Sequence, residues 1–485
     1  MKMISWRYLL AFSFATVLSL NSYGQLSGYN LAEAQFGQIP TDTLRFGSFY
    51  DRLVIDYDYK AFKFGLTGEQ YWSQYGSRNY AEINQVRLQY KTARWDVKIG
   101  NFYETLGRGT LLRTYQVQGA VVEDIIYRSR TYFHRDFVGA FAKYQQDAWS
   151  IKAMAGQPLQ YQFPPTQDYE VRRPDSVIVI GGDYQLLNQK IEYNAMNVNN
   201  AAGEKWYSMA NLSGKVTDEI NYYTEVSIDN EGGLFEKDDS YAAYLNVNFV
   251  LGNLSITSEL KDYRNFQIGE GINEPPALIK QHLYRTLNRS THIPNANYER
   301  GWQLEALYYF DNGNSLTFNH ARARNALGNR RPTFTEFFVE YDTYISDRIG
   351  GKFFADYAIA ESEGEENRLA GGYDIDYRVG KKSTINVEFE YQTFDRNDES
   401  IYNSLAQLGY SVGSKFSASV LAEISNDPTL DDDFWLGTNV KYKPSHKDTF
   451  LFFGGTRRGG PACTSGVCYE ILDFEGVELR YTRRF

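Results

Sequence analysis

Sulfur and imidazole are scarce in this chain, whose 485 residues include 2 Cys, 5 Met and 5 His. None of the histidines, His134, His282, His292, His320 and His446, stands in a Gly-x-Ser-x-Gly, His-Glu-x-x-His or comparable context. Rossmann and P-loop fingerprints are missing as well, so neither an enzyme activity nor a cofactor is expected. No internal apolar run reaches the roughly 18 residues of a membrane helix, which excludes an α-helical membrane bundle. Positive charge is in deficit: 50 Lys+Arg against 60 Asp+Glu leave a formal net charge of -10, which excludes nucleic acid as a partner. A bilayer is not excluded. Transmembrane β-strands alternate lipid-facing and lumen-facing residues, so a barrel spans a membrane while its mean hydropathy stays negative.

Aromatic residues are plentiful: 40 Tyr, 31 Phe and 7 Trp make up 16% of the chain, an enrichment that suits the interfacial girdles of a barrel. The composition is nearly constant from end to end, which favours one large unit over the about three domains that length alone suggests. At the N-terminus, Lys2 and Arg7 form a positive region ahead of an apolar run from Tyr8 to Leu20, and Ser22-Tyr23-Gly24 supplies small residues for cleavage. Residues 1–24 are therefore expected to be a signal peptide, with Gln25 as the mature start and, lacking a nearby Cys, no lipid attachment. Loss of those two cations would deepen the net charge from -10 to -12. Cys463 and Cys468 flank Thr-Ser-Gly-Val in a Gly-rich turn, and in an exported chain the expected state is a disulfide stapling that loop. A metal site would need ligands this segment lacks.

Period-2 patterning carries the fold. Ile385, Val387, Phe389 and Tyr391 alternate with Asn386, Glu388, Glu390 and Gln392. The same alternation recurs at Leu53 to Tyr59, Val86 to Tyr90 and Ala243 to Phe249. A soluble sandwich would break into units of about a hundred residues rather than sustain one pattern. Short polar turns fall near Asp58–Ala61, Lys91–Arg94, Gln145–Ala148, Asn188–Gln189, Val216–Glu219, Gly252–Asn253, Asp311–Asn314, Ser346–Arg348, Gly380–Lys382, Gly413–Lys415 and Ser445–Lys447, with longer connections between them. Tight turns in the periplasm alternating with long extracellular loops describe a single antiparallel transmembrane β-barrel over 25–485. Two strands per turn and one at each end give about 24 strands, within roughly 20 to 24 because the segment Ile178–Val198 reads weakly. At the C-terminus Val477, Leu479, Tyr481 and Phe485 share one face, broken by Arg483, in the manner of the signal that outer-membrane barrels present to their insertion machinery.

The segments Gly100-Asn-Phe-Tyr-Glu-Thr-Leu-Gly-Arg-Gly-Thr-Leu-Leu-Arg113, Asn273-Glu-Pro-Pro-Ala-Leu-Ile-Lys280, Thr286-Leu-Asn-Arg289 and Phe62-Lys-Phe-Gly-Leu66 resemble an uncharacterised family of Bacteroidota outer-membrane β-barrels. The resemblance spans most of the mature chain and implies fold and membrane location, with no activity attached. A strand followed by Gly107-Arg-Gly109 is also similar to large substrate-specific porins, in which a loop after an early strand bends into the lumen.

A barrel of this width would leak if empty. Strand-like sequence begins almost at Gln25, leaving no room for a separate plug domain and disfavouring a TonB-dependent transporter, so loops near 102–136, 157–174 and 264–300 are expected to fill the lumen. Arg108 and Arg113 would form the cationic side of a constriction and Glu123 and Asp124 the anionic side, with Arg128, Arg130, Arg135 and His134 nearby. Opposed charges of this kind sort solutes by charge and dipole. Their alternative role is to pair with one another and hold the loop. Tyr284 and Tyr298 could stack on sugar rings or simply pack the filling. Asp427, Asp431, Asp432 and Asp433 form an acidic loop, as do Glu361, Glu363, Glu365 and Glu366, and Glu236, Asp238 and Asp239. None has the Asp-x-Asp-x-Asp-Gly spacing of a Ca²⁺ loop, so no metal site is expected. Lumen-side polarity at Asp56, Asp58, Lys63, Arg87, Lys91, Asp96 and Lys98 suits a hydrated interior. The expected function is a porin-like channel for hydrophilic solutes in the outer membrane of a Gram-negative bacterium. A plugged scaffold for a surface lipoprotein or an export or assembly complex is the alternative. Lipid, lipopolysaccharide and the barrel-insertion machinery are the expected partners in either case.

Overall fold

The computed structural model describes residues 25–485, apart from 40–43, 75–77, 127, 164–168, 231–238, 270, 279, 293–294, 296, 326–331, 362–363 and 465–466. The proposed signal peptide and the acidic positions Glu236, Asp238 and Glu363 lie outside the described residues, as do the side chains of Cys463 and Cys468. The main chain forms one 24-stranded antiparallel sheet, running from Gln25–Gln38 to Phe474–Arg484. Those two strands pair with each other, Glu33 opposite Arg480 and Gln35 opposite Glu478, so the sheet closes into a barrel with no free edge. The strand number is the best count from the sequence, and each of the polar turns named above joins two adjacent strands. The weakly patterned stretch is an ordinary hairpin, Ser176–Leu186 with Gln189–Asn200.

Alternation decides which face is which. Phe36, Trp72, Ile151, Ile180, Tyr193, Leu408 and Leu479 are exposed on the outside, where a water-soluble sheet would bury them. Rings crowd the tight-turn end of that face: Phe62 and Tyr90 are 4.9 Å apart, Trp95 and Tyr144 4.8 Å, and Phe450 and Tyr481 4.5 Å, an interfacial girdle. Val387 and Tyr391 face outward while Glu390 and Gln392, at 0% exposure, face the lumen. Among the described residues no helix is long and apolar enough to cross a membrane. The crossing elements are strands.

Lumen charges are where the fold departs from a simple pipe. Arg52, Glu225, Lys261, Glu336, Arg368 and Glu390 face inward and are nonetheless buried. What covers them is chain that leaves the wall at the long-loop end and turns inside: the described residues within 103–136, 159–175 and 265–297.

Candidate functional site

The first inserted segment holds the hairpin Tyr115–Glu123 with Arg130–Arg135. Its side chains bind the seam where the barrel closes. Arg130 reaches Glu123 of the hairpin at 2.5 Å, Glu478 of the last strand at 3.2 Å and Glu33 of the first. Arg128 pairs with Glu123 at 3.2 Å and donates to the Asp473 carbonyl at 3.0 Å, while Arg480 pairs with Glu33 and donates to the Gly119 carbonyl at 3.0 Å. The hydroxyls of Tyr71 and Tyr80 donate to the carbonyls of Arg128 and Arg130. Arg52 lies 3.6 Å over the Tyr132 ring and 3.2 Å from Glu69. Glu123 is thus held between arginines rather than facing open space. Asp124 accepts from the Ile126 N–H at 3.0 Å, closing the tip of the hairpin. Arg135 donates to the Leu159 carbonyl at 3.3 Å, and the hairpin's neighbour Asp136 gathers Arg173, Gln85 and Asn101, tying the second segment to the first.

Across the lumen, the turn at 107–110 presses on strand Ile220–Asp229. The Arg108 N–H donates to Glu225 at 2.8 Å and Thr110 Oγ1 reaches both Glu225 and Ser227. Gly107 has φ +60, and a methyl group there would overlap the Glu225 carboxylate and the Met209 sulfur. Glycine meets both demands, positive φ and close approach. The Arg108 side chain stays exposed with its guanidinium 4.9 Å from the Tyr223 ring, and Arg113 lies 5.5 Å over Tyr115. Arg108 therefore sits against the middle of the wall and Glu123 against the seam, far around the barrel. Gly107→Ala is expected to lift this turn, raising amide hydrogen exchange at residues 107–113 by about tenfold or more while the wall strands stay protected. Unchanged exchange would mean the turn is held from elsewhere.

The third segment interlocks with the first, the Glu274 N–H donating to the Gly109 carbonyl at 3.0 Å and Arg113 N–H to Ile272 at 2.8 Å. Its far end is anchored by the wall strands between Thr333 and Arg396. His282 meets Glu336 at 3.1 Å, and Arg368 binds Glu336 at 2.8 Å, Asp356 at 3.1 Å and the Ser290 carbonyl at 2.6 Å. Glu390 accepts the N–H groups of Arg285 and Thr286 at 3.0 and 2.7 Å, fixing the short helix Arg285–Arg289. Tyr284 donates to Glu340 at 2.6 Å and stacks 3.7 Å from Phe354, so its ring has no free face for a sugar. Tyr298 is not in a loop: it opens strand Tyr298–Tyr309 with the parity of the outward Trp302. Among the described residues the acidic and imidazole groups close enough to share an ion are His282, Glu336 and Asp356, and Arg368 already occupies the place of a cation between the two carboxylates. Asp427 accepts from Arg396 at 2.8 Å, and Asp431, Asp432 and Asp433 are exposed.

Beside this filling, room remains along strands Phe416–Ser425, Phe434–Tyr442 and Asp448–Arg457. A cavity of about 290 Å³ lies between the 285–289 helix and the wall, and one of about 470 Å³ lies on the wall nearer the tight turns. Asn439, Phe453 and Arg457 line both. Arg285, Arg289, Arg458, Lys441 and Arg480 also line them, facing Glu423 and Glu478, so cations predominate.

The profile of a family of unknown function, DUF6029, covers residues 29–119 and 184–485, most of the sequence. The chain belongs to DUF6029. No curated protein matches it. Its barrel is similar to solved structures at low identity. The P pilus usher (PapC) translocation pore shares 10% identity at TM-score 0.46, over 95% of this chain and 99% of that one. The outer membrane protein opdK from Pseudomonas aeruginosa shares 14% at 0.42 over 82% and 98%, and OccK3 (OpdO) from the same organism 13% at 0.43 over 72% and 94%. Within this DUF6029 chain the matched ranges include the Gly107 turn, the 265–297 segment and the wall groups Glu33, Glu225, Arg368, Glu390 and Arg480. None of those wall groups is among the candidate site residues read from the sequence, although Glu390 is placed there on the polar face of its strand. Their signal was present: each is a charge well inside a strand, on the face opposite the apolar residues.

Proposed function

We propose that this porin-like barrel is an outer-membrane channel for small hydrophilic solutes, with anions favoured. Long loops face the exterior and tight turns the periplasm, and residues 1–24 are removed on export. The reading rests on the adjoining cavities beside the inserted segments, where Arg457 and its cationic neighbours line water-sized space from the 285–289 helix toward the tight turns. Fixed cations along a narrow polar passage raise the local concentration of anions. Cys463 and Cys468, paired by backbone register across the hairpin of 460–464 with 467–471, would staple the loop beside the upper cavity.

Planar-bilayer recording of the purified barrel tests this. Discrete steps with a reversal potential favouring anions in a salt gradient are expected, and the double substitution Arg285→Gln, Arg457→Gln should move the reversal potential toward zero. Retained selectivity would remove these residues from the path. The second reading, a plugged scaffold, draws on how fully the inserted segments cover the wall charges. A folded but silent barrel with a co-purifying protein would establish it.

A further inference from the structure

Among the described residues, a cluster of charges near the long-loop rim breaks the apolar character of the outer wall. Near the long-loop rim other strands present Ile178, Trp206, Leu369 and Phe434 to the outside. On strands Leu254–Arg264, Tyr298–Tyr309 and Ser315–Asn325 the outward positions are instead Asp262 and Arg264, Arg300, and Arg322 and Arg324. Register places Asp262 beside Arg300 and Arg300 beside Arg324, with Arg322 one tier deeper beside Trp302. Asp262 is shared: Arg300 reaches it at 2.5 Å, Arg264 at 3.7 Å, and the Tyr241 hydroxyl donates to it at 3.0 Å. One carboxylate therefore stands among four guanidiniums, and Arg322 and Arg324 are exposed. Like charges on neighbouring strands repel, and an arginine facing hydrocarbon is costly except near the interface.

A groove of about 650 Å³ runs over this patch, lined by Arg300, Arg322, Arg324 and Asp262 at the rim and by Trp302, Leu260 and Leu245 below. Deeper still, His320 lies 4.6 Å from Trp302 and stacks 3.9 Å from Phe337. Charge at the rim and apolar and aromatic surface toward the membrane midplane match an amphiphile with anionic headgroup and acyl chains.

We propose that this groove binds a phosphorylated glycolipid of the outer leaflet, its phosphates on Arg300, Arg322 and Arg324 and its chains along Trp302, Leu260 and Leu245. Guanidinium forks suit phosphate oxygens in two-point hydrogen bonds. The proposal rests on the outer-membrane reading above and is independent of whether the lumen conducts.

Native mass spectrometry of the detergent-purified barrel, titrated with diphosphoryl lipid A, fully dephosphorylated lipid A and phosphatidylglycerol, tests it. Diphosphoryl lipid A is expected to bind about tenfold or more tighter than either other lipid. The triple variant Arg300→Gln, Arg322→Gln, Arg324→Gln should lose that margin, and the corresponding triple Lys variant should keep part of it. Equal affinity for the dephosphorylated lipid, or binding unchanged in the Gln variant, overturns the proposal. If the Gln variant does not fold, the comparison of the three lipids on the parent and the Lys variant decides. Vesicle flotation separates the two readings: a parent barrel that fails to insert defeats membrane residence, whereas one that inserts without preferring the phosphorylated lipid defeats this site alone.

Discussion

Replacing Arg130 with Glu is expected to detach the 115–135 hairpin from the barrel wall and raise single-channel conductance severalfold. Arg128, Arg130, Arg457 and Arg480 face Glu33, Glu123 and Glu478 in a buried cluster, and Arg130 is the group that touches all three carboxylates. Reversing its charge leaves four carboxylates against three guanidiniums with little water to screen them. Breaking a buried ion pair costs about 3–5 kcal/mol, more than the neighbouring carbonyl hydrogen bonds can offset. Arg130→Gln should be milder, because Glu33 keeps Arg480, Glu123 keeps Arg128 and Glu478 keeps Arg457. The wall ladder does not pass through Arg130, so hydrogen exchange in the wall strands should be the same in both variants as in the parent. Bilayer recordings in the order parent, Gln, Glu give the measurement. Identical conductance in all three would show that the hairpin is held by its tyrosine and backbone contacts instead.

The outline of the barrel was legible because its signals are local. Alternation at Ile385–Gln392 needs only neighbouring residues, and a polar turn such as Gly413–Lys415 announces itself over three positions. Ser176–Asn200 read weakly because Gly181, Gly182 and Asn194 dilute the pattern, yet pairing on both sides makes it ordinary wall. The interior was not legible in the same way. Arg130 finds partners at 33 and 478, and Arg285 meets Glu390, separations that no periodicity encodes. Glu123 is different: its partners Arg128 and Arg130 lie five and seven residues away in the same segment, the pairing that the sequence offers as the alternative to an open anionic pole. Tyr298 misled because it follows a long loop directly; its parity with Trp302, two strand repeats on, assigns it to the outer face.

Arg368→Met is expected to lower the barrel's unfolding temperature more than any substitution at an exposed lumen charge such as Arg108. Arg368 has 0% exposure and lies within reach of Glu336, Asp356 and Glu365, while its third donor holds the Ser290 carbonyl of the inserted segment. Methionine matches much of its length but leaves Glu336 and Asp356 buried without their guanidinium, while Glu365 keeps Arg396 at 3.5 Å, at a cost of about 3–5 kcal/mol. The loss should be reversible by chemistry rather than by size. Adding Glu336→Gln and Asp356→Asn removes the uncompensated charge with near-isosteric amides, and residues sharing one network couple strongly. The triple variant should therefore recover most of the unfolding temperature, read by heat-modifiability on gels. It should still leave Ser290 without its donor, so hydrogen exchange across residues 285–290 should stay elevated. A triple variant no more stable than Arg368→Met would mean that Arg368 acts through its packing against Phe334 rather than as the counter-charge that lets a wall of carboxylates be covered by chain.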